Sequence, residues 1–232
     1  MINEAVISDA EPNYRILGQQ IRVREKRLAL YNHLSINSYS NMLIYSKPLN
    51  EHMKEVIVNE HNRLRRIVPA TDMLLMYWSD DLAISAQRHA NRCDFRHSKD
   101  RINIGENIWA APYSNYTEAV SRWFNEVYDL RCNCKHAYKH CCGHYVQIVW
   151  SETNLVGCGY AKCRDIWGIK IAAIDIFLYV IIILKEIPYM LLPKMPAFTW
   201  AVDKPRCSNC PVDAPVCYQG LCFAPTLSTE QF

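Results

Sequence analysis

The first 92 residues contain no cysteine, although the 232-residue chain holds eleven. Large net charge is also missing: the balance is +3, too small to argue for nucleic acid or for strong adsorption to a membrane surface. The longest apolar run, "IAAIDIFLYVIIIL" at 171–184, falls short of the roughly 20 residues that span a bilayer, and Asp175 interrupts it. No transmembrane span is expected, and this run reads as one or two buried strands. The opening "MINEAVISDAEPNYRILGQQ" shows neither a basic segment nor an apolar core of the kind that directs export.

What is present points elsewhere. Half of the residues are apolar and 21% are charged, a globular balance that excludes a disordered chain. Eleven cysteines at this density fit an oxidising compartment, and the odd number leaves at least one unpaired or paired between chains. Cysteine usage therefore predicts an extracellular protein, while the N-terminus shows no export signal. An incomplete or alternative gene product reconciles the two; a cytosolic protein with zinc-bound thiols is the other reading.

Residues 1–49 lack a clear pattern and read as an N-terminal extension ending near Pro48. From residue 50 the periodicity is helical. Met53, Val56, Ile57, Glu60, His61 and Leu64 recur at three- and four-residue steps, and Pro69 stops them. "WSDDLAISAQRHANRC" predicts a second helix, with Ser79 or Asp80 as cap and Leu82, Ala86, Ala90 and Cys93 on its buried face. A third is expected over 117–129, capped by Thr117, with Trp123, Phe124 and Val127 inward. Strands are expected at 144–150 and 156–162. Helices and strands do not alternate as βαβ, so the fold class is α+β with an antiparallel sheet. The final segment, 201–232, has cysteines spaced C-x2-C-x6-C-x4-C and reads as a small disulfide-stapled module, with a zinc site from the same four thiols as the alternative.

Four polar residues stand among apolar neighbours: His97, Glu106, Glu126 and His144. Singly, each is an ordinary structural residue. Together with "HNRLR" (61–65), "GENI" (105–108) and "GHYVQIVW" (143–150), they resemble the signature of the CAP superfamily. That group comprises cysteine-rich secretory, antigen-5 and plant pathogenesis-related proteins sharing the SCP domain. The closest look is to animal secreted members of the peptidase-inhibitor-like and glioma-pathogenesis-related type. The resemblance covers residues 50–163, within a domain expected over 50–200.

The resemblance implies an α-β-α sandwich followed by a four-cysteine hinge. It implies a cleft lined by His97, Glu106, Glu126 and His144, in which His97 and His144 hold Zn2+ weakly. It places His144 at the start of the strand, with Gly143 permitting close backbone approach. It also implies the pairs Cys93–Cys163, Cys207–Cys217 and Cys210–Cys222. Cys132, Cys134, Cys141 and Cys142 form two more bridges of unassigned connectivity, and Cys158 remains a free thiol. The usual partner of Cys158 lies in a further family motif that 166–193 replaces, which leaves the last central strand in question.

The expected function is that of a secreted, non-enzymatic domain binding a small hydrophobic molecule such as a lipid or sterol, a glycan or a protein. A metal-assisted hydrolase, namely a protease, is the alternative. A defective isoform without independent function is a third reading. The sequon Asn115-Tyr116-Thr117 makes Asn115 a candidate glycosylation site.

Overall fold

The computed structural model describes residues 42–99, 101, 104–130, 142–170, 176–184 and 197–225. The elements in order are β1 (Leu43–Ser46), α1 (Glu51–Ile67), β2 (Tyr77–Trp78), α2 (Asp80–Ala90), β3 (Ile104–Ala111), α3 (Tyr116–Phe124) and a 3-10 turn (Asn125–Tyr128). α4 (Gly143–Ile148), β4 (Leu155–Cys163), β5 (Ile176–Leu184), β6 (Val216–Tyr218) and β7 (Leu221–Phe223) follow. Three of the helices begin where a side-chain oxygen takes an orphan N–H: Asn50 from Met53, Ser79 from Leu82 and Asn115 from Glu118. The third helix is thus capped by Asn115, not Thr117. It closes at Phe124 and tightens into the 3-10 turn, in which Val127 is only half-buried.

The main sheet runs β1-β4-β5-β3, with β2 joined to β4 in parallel and the other pairs antiparallel. Alternation along β4 divides its two faces. Val156, Cys158 and Tyr160 pack with Ile57, Leu64, Val120 and Trp123 of α1 and α3. Ala161 and Cys163 pack with Leu82, Ala86 and Ala90 of α2. Helices therefore cover both faces, and the molecule is an α-β-α sandwich.

β5 occupies the centre. It pairs with β3 from Phe177 to Leu184 and with β4 from Ile176 to Ile183. A strand covered on both faces needs no polar alternation, which is why so continuous an apolar run suits this place. The stretch 166–193 therefore supplies the central strand that the sequence left in question. Residues 43–46, within the expected extension, add the edge strand β1. They escaped notice because the strand is four residues long and a register shift between Leu43 and Tyr45 breaks its alternation.

The C-terminal module is a β6–β7 hairpin closed by Gln219 and Gly220, both at positive φ as a two-residue type I′ turn requires. It docks on the sandwich: Cys222 N–H donates to Met73 O and Leu75 N–H to Cys222 O, each at 2.8 Å, and Leu221 is fully buried in the main core. Cys207 is bonded to Cys217 and Cys210 to Cys222, so these sulfurs are not thiolates available to a metal. Cys93 is bonded to Cys163. Cys142 is disulfide-bonded, while Cys132, Cys134 and Cys141 lie outside the described residues.

Cys158 is a free thiol, 2% exposed, on the β4 face under α1 and α3. Burial pushes its pKa far up, which starves it of the reactive thiolate. Iodoacetamide at neutral pH should leave Cys158 unlabelled in native protein and label it once the chain is unfolded, as read by peptide mass mapping. Rapid native labelling, or a reductant-sensitive dimer through Cys158, would show that β5 does not seal this face.

Candidate functional site

The motif "HNRLR" lies on α1 and is structural. His61 is fully buried: it donates from Nδ1 to Ile57 O at 2.8 Å, and burial lowers its pKa to about 4, so it is neutral. Asn62 exchanges two hydrogen bonds with the backbone of Met76. Arg65, also fully buried, gives its guanidinium to the carbonyls of Leu74, Ile148, Trp150, Ser151 and Thr153. Burial lowers its pKa to about 9, which leaves it cationic at neutral pH.

These contacts shape the segment carrying His144. Residues 143–148 form helix α4, not the expected strand. The β-branched and aromatic side chains of "HYVQIVW" favour a strand locally, but tertiary partners satisfy both helix ends. At the N-terminus Cys142 offers no cap; instead Glu126 Oε2 accepts from Tyr145 N at 3.1 Å. At the C-terminus Arg65 takes Ile148 O at 2.7 Å and Trp150 O at 2.8 Å. A carboxylate at the start and a guanidinium at the end also complement the helix dipole. Val146, Gln147 and Ile148 are all buried, so the alternate burial expected of a strand is absent. Gly143 does not serve a close approach, for a Cβ there would meet nothing within 4 Å. The glycine that does is Gly105 of β3, where a Cβ would lie 2.0 Å from Gln147 Oε1.

The four site residues form two imidazole–carboxylate pairs. His144 donates from Nδ1 to Glu126 Oε1 at 2.6 Å and stacks on Trp123 with ring centroids 6.0 Å apart. His97 donates from Nδ1 to Glu106 Oε1 at 2.8 Å, and the same oxygen accepts Ser98 N–H at 2.9 Å. Glu106 is buried on β3, whereas the His97 side chain is 43% exposed. Burial raises the Glu106 carboxyl. The His97 hydrogen bond, the neighbouring His89 and the Ser98 N–H outweigh it, so the group sits below the usual carboxylate range. The pairs are linked through β3: Asn107, next to Glu106, donates from Nδ2 to His144 O at 3.3 Å.

Each histidine spends Nδ1 on a carboxylate, which fixes the tautomer and leaves Nε2 with a lone pair. Carboxylate–histidine pairs of this kind support metal-ligating imidazoles. In this chain Glu106 stands behind His97 and Glu126 behind His144 in that way. Among the described residues, the one group bringing three such ligand atoms within 4.8 Å of one another is Cys207, Cys210 and Cys222 of the hinge. A metal between the two imidazoles would therefore have two protein ligands.

Asn115 is exposed. Its Oδ1 takes Glu118 N–H and the Thr117 hydroxyl at 3.1 and 3.0 Å, which leaves Nδ2 as the atom available for glycosylation. Arg65 and His89 were not singled out from sequence. The signal for His89 was its place beside Ala86, Ala90 and Cys93 on the buried helical face.

A three-layer sandwich with two imidazole–carboxylate pairs at one strand, and a disulfide-stapled hairpin docked beside it, is the architecture of a CAP domain. The model of the Cysteine-rich secretory protein family (CAP) matches residues 58–182, and the chain belongs to this family. It is 51% identical over 237 residues to Protein lon-1 of Caenorhabditis elegans, covering 97% of this chain and 75% of that protein. It is 42% identical over 118 residues to human Cysteine-rich secretory protein 3, covering 47% of this chain and 48% of that protein. The chain thus spans three quarters of one relative's length and about half of the other's. Among solved structures, Na-ASP-1 shares the fold with a TM-score of 0.60 at 21% identity, covering 81% of this chain and 51% of that one. Disulfides and membership of a family named for secretion agree with an oxidising, extracellular setting. No helix among the described residues is long and apolar enough to cross a membrane.

Proposed function

We propose that the chain is a secreted binding domain rather than an enzyme, and that the surface carrying His97 and His144 takes the ligand. The observation that carries this is the state of the candidate groups. Each imidazole is held by a carboxylate through Nδ1, which leaves Nε2 open, and among the described residues no hydroxyl or thiol is hydrogen-bonded to either Nε2, so neither ring is paired with a nucleophile. Among the described residues the free thiol, Cys158, is sealed in the core. The exposed His97, with the half-buried His144 stacked on Trp123 and followed by the half-buried Tyr145, suits a ligand with an apolar body and a few polar groups, such as a lipid, a sterol or a glycan, or a protein surface. Zn2+ bound at His97 and His144 would supply a positive anchor there. Asn115 is proposed to carry the glycan of the secreted form.

Isothermal titration of metal-free protein with Zn2+ should show one weak site that disappears in His97→Ala/His144→Ala. Affinity should fall as the pH is lowered, because protons compete with the metal for imidazole nitrogen. Unchanged affinity in the double variant would remove the zinc assignment. Mass spectrometry of co-purified lipids tests the ligand class. Peptide-library cleavage that is lost in the same variant would replace the binding reading with a metal-assisted hydrolase.

A further inference from the structure

The loop that carries His97 is clamped from two sides. His89 on α2 donates from Nε2 to Arg96 O at 2.8 Å. Glu106 on β3 takes Ser98 N–H and His97 Nδ1 through a single oxygen, Oε1. Each clamp leaves a buried polar atom unused. His89 Nδ1 and Glu106 Oε2 have no hydrogen-bond partner, though both residues are only 4% exposed.

The two side chains enter the same layer. Glu106 shares a face of β3 with Ile104 and Ile108, which pack with Ala86 and Ala90 of α2. His89 sits on α2 next to Ala90 and three residues after Ala86. Both free atoms are acceptors. Nε2 of His89 must carry the ring proton to reach a carbonyl, so Nδ1 presents a lone pair, and Glu106 Oε2 belongs to a carboxylate. His89 and Glu106 do not bond to each other directly. A buried acceptor left unpaired is costly, and these two, set between α2 and β3, each call for a donor. A water molecule donates twice and satisfies both. A metal ion would need further ligands, and among the described residues no third His, Cys, Asp or Glu converges with this pair.

We propose that one buried water bridges His89 Nδ1 and Glu106 Oε2, and that His89 is thereby a positioning residue for His97. It acts through the Arg96 carbonyl on one side and through the water-held carboxylate on the other. The proposal concerns the support of His97 and is tested on metal-free protein, so failure of the zinc assignment does not touch it.

A crystal structure near 1.5 Å resolution should show one water within about 2.6–3.2 Å of both atoms. An empty space, a direct imidazole–carboxylate contact, or density for an ion with further ligands overturns the site. His89→Phe removes both hydrogen bonds of the ring and should speed solvent exchange of the His97 Nδ1 proton about tenfold by NMR. His89→Gln keeps one donor for Arg96 O and one acceptor for the water, so it should restore slow exchange and the water peak. If His89→Phe fails to fold, loss of the water and fast exchange in His89→Met are the expected results. His97 exchange unchanged in the folded Phe or Met variant, or no rescue by Gln, overturns the positioning role.

Discussion

Arg65→Met should abolish cooperative folding, and Arg65→Lys should cost about 3–5 kcal/mol. The five N–H groups of the guanidinium serve five carbonyls, those of Leu74, Ile148, Trp150, Ser151 and Thr153, through six contacts of 2.7 to 3.3 Å, one N–H being shared. Hydrogen bonds to a charged donor contribute about 1.5–3 kcal/mol each, and an acceptor left unpaired in the interior carries its whole desolvation penalty. Methionine matches the volume and pairs with none of the five. The summed loss reaches the 5–15 kcal/mol by which ordinary domains are stable. Lysine keeps the charge but has three donors at one point, so at least two carbonyls go unserved. Urea unfolding followed by near-UV circular dichroism measures both. A Lys variant with an unchanged midpoint would show that these contacts are dispensable. Since Ile148 O and Trp150 O hold the end of α4, the Lys variant should also disturb the His144 signals by NMR.

That dependence explains why some of the site was legible in the sequence and some was not. The helices α1 and α2 could be read because their apolar stripes, the Ser79 cap and Pro69 are all local. The four site residues could be picked out by motif, and the structure brings them together as His97 with Glu106 and His144 with Glu126. The segment 144–150 was misread as a strand because the groups that make it helical are remote. Glu126 is 19 residues before Tyr145, and Arg65 is 83 before Ile148. No window of local propensity contains either. The run 176–184 was recognisable as buried strand from its branched residues, but its place between β3 and β4 follows from pairing across the whole domain.

Gly159→Ala should be severely damaging for a single methyl, with a loss of about 3 kcal/mol or more, at or beyond the usual cost of overpacking. A Cβ at Gly159 would stand 2.3 Å from both Cα and N of Gln87, and one at Gly157 would stand 2.2 Å from Ala83 N. The obstacles are backbone atoms of α2, so no side-chain rotation relieves them. The helix lies directly on β4, and this closeness lets Gln87 reach across: its Nε2 donates to Tyr160 O at 2.7 Å and its Oε1 accepts Tyr160 N–H at 3.1 Å. Lifting the helix to admit a methyl would break that pair. It would also displace His89, which stands two residues further along the helix and holds the loop of His97. Gly143→Ala is the matched control. A Cβ there meets nothing, and alanine in a helix is worth up to about 1 kcal/mol over glycine, so that variant should be neutral or slightly more stable. Parallel urea titrations of the two variants decide it. Equal midpoints for Gly159→Ala and the parent would mean that α2 does not rest on β4 through this glycine.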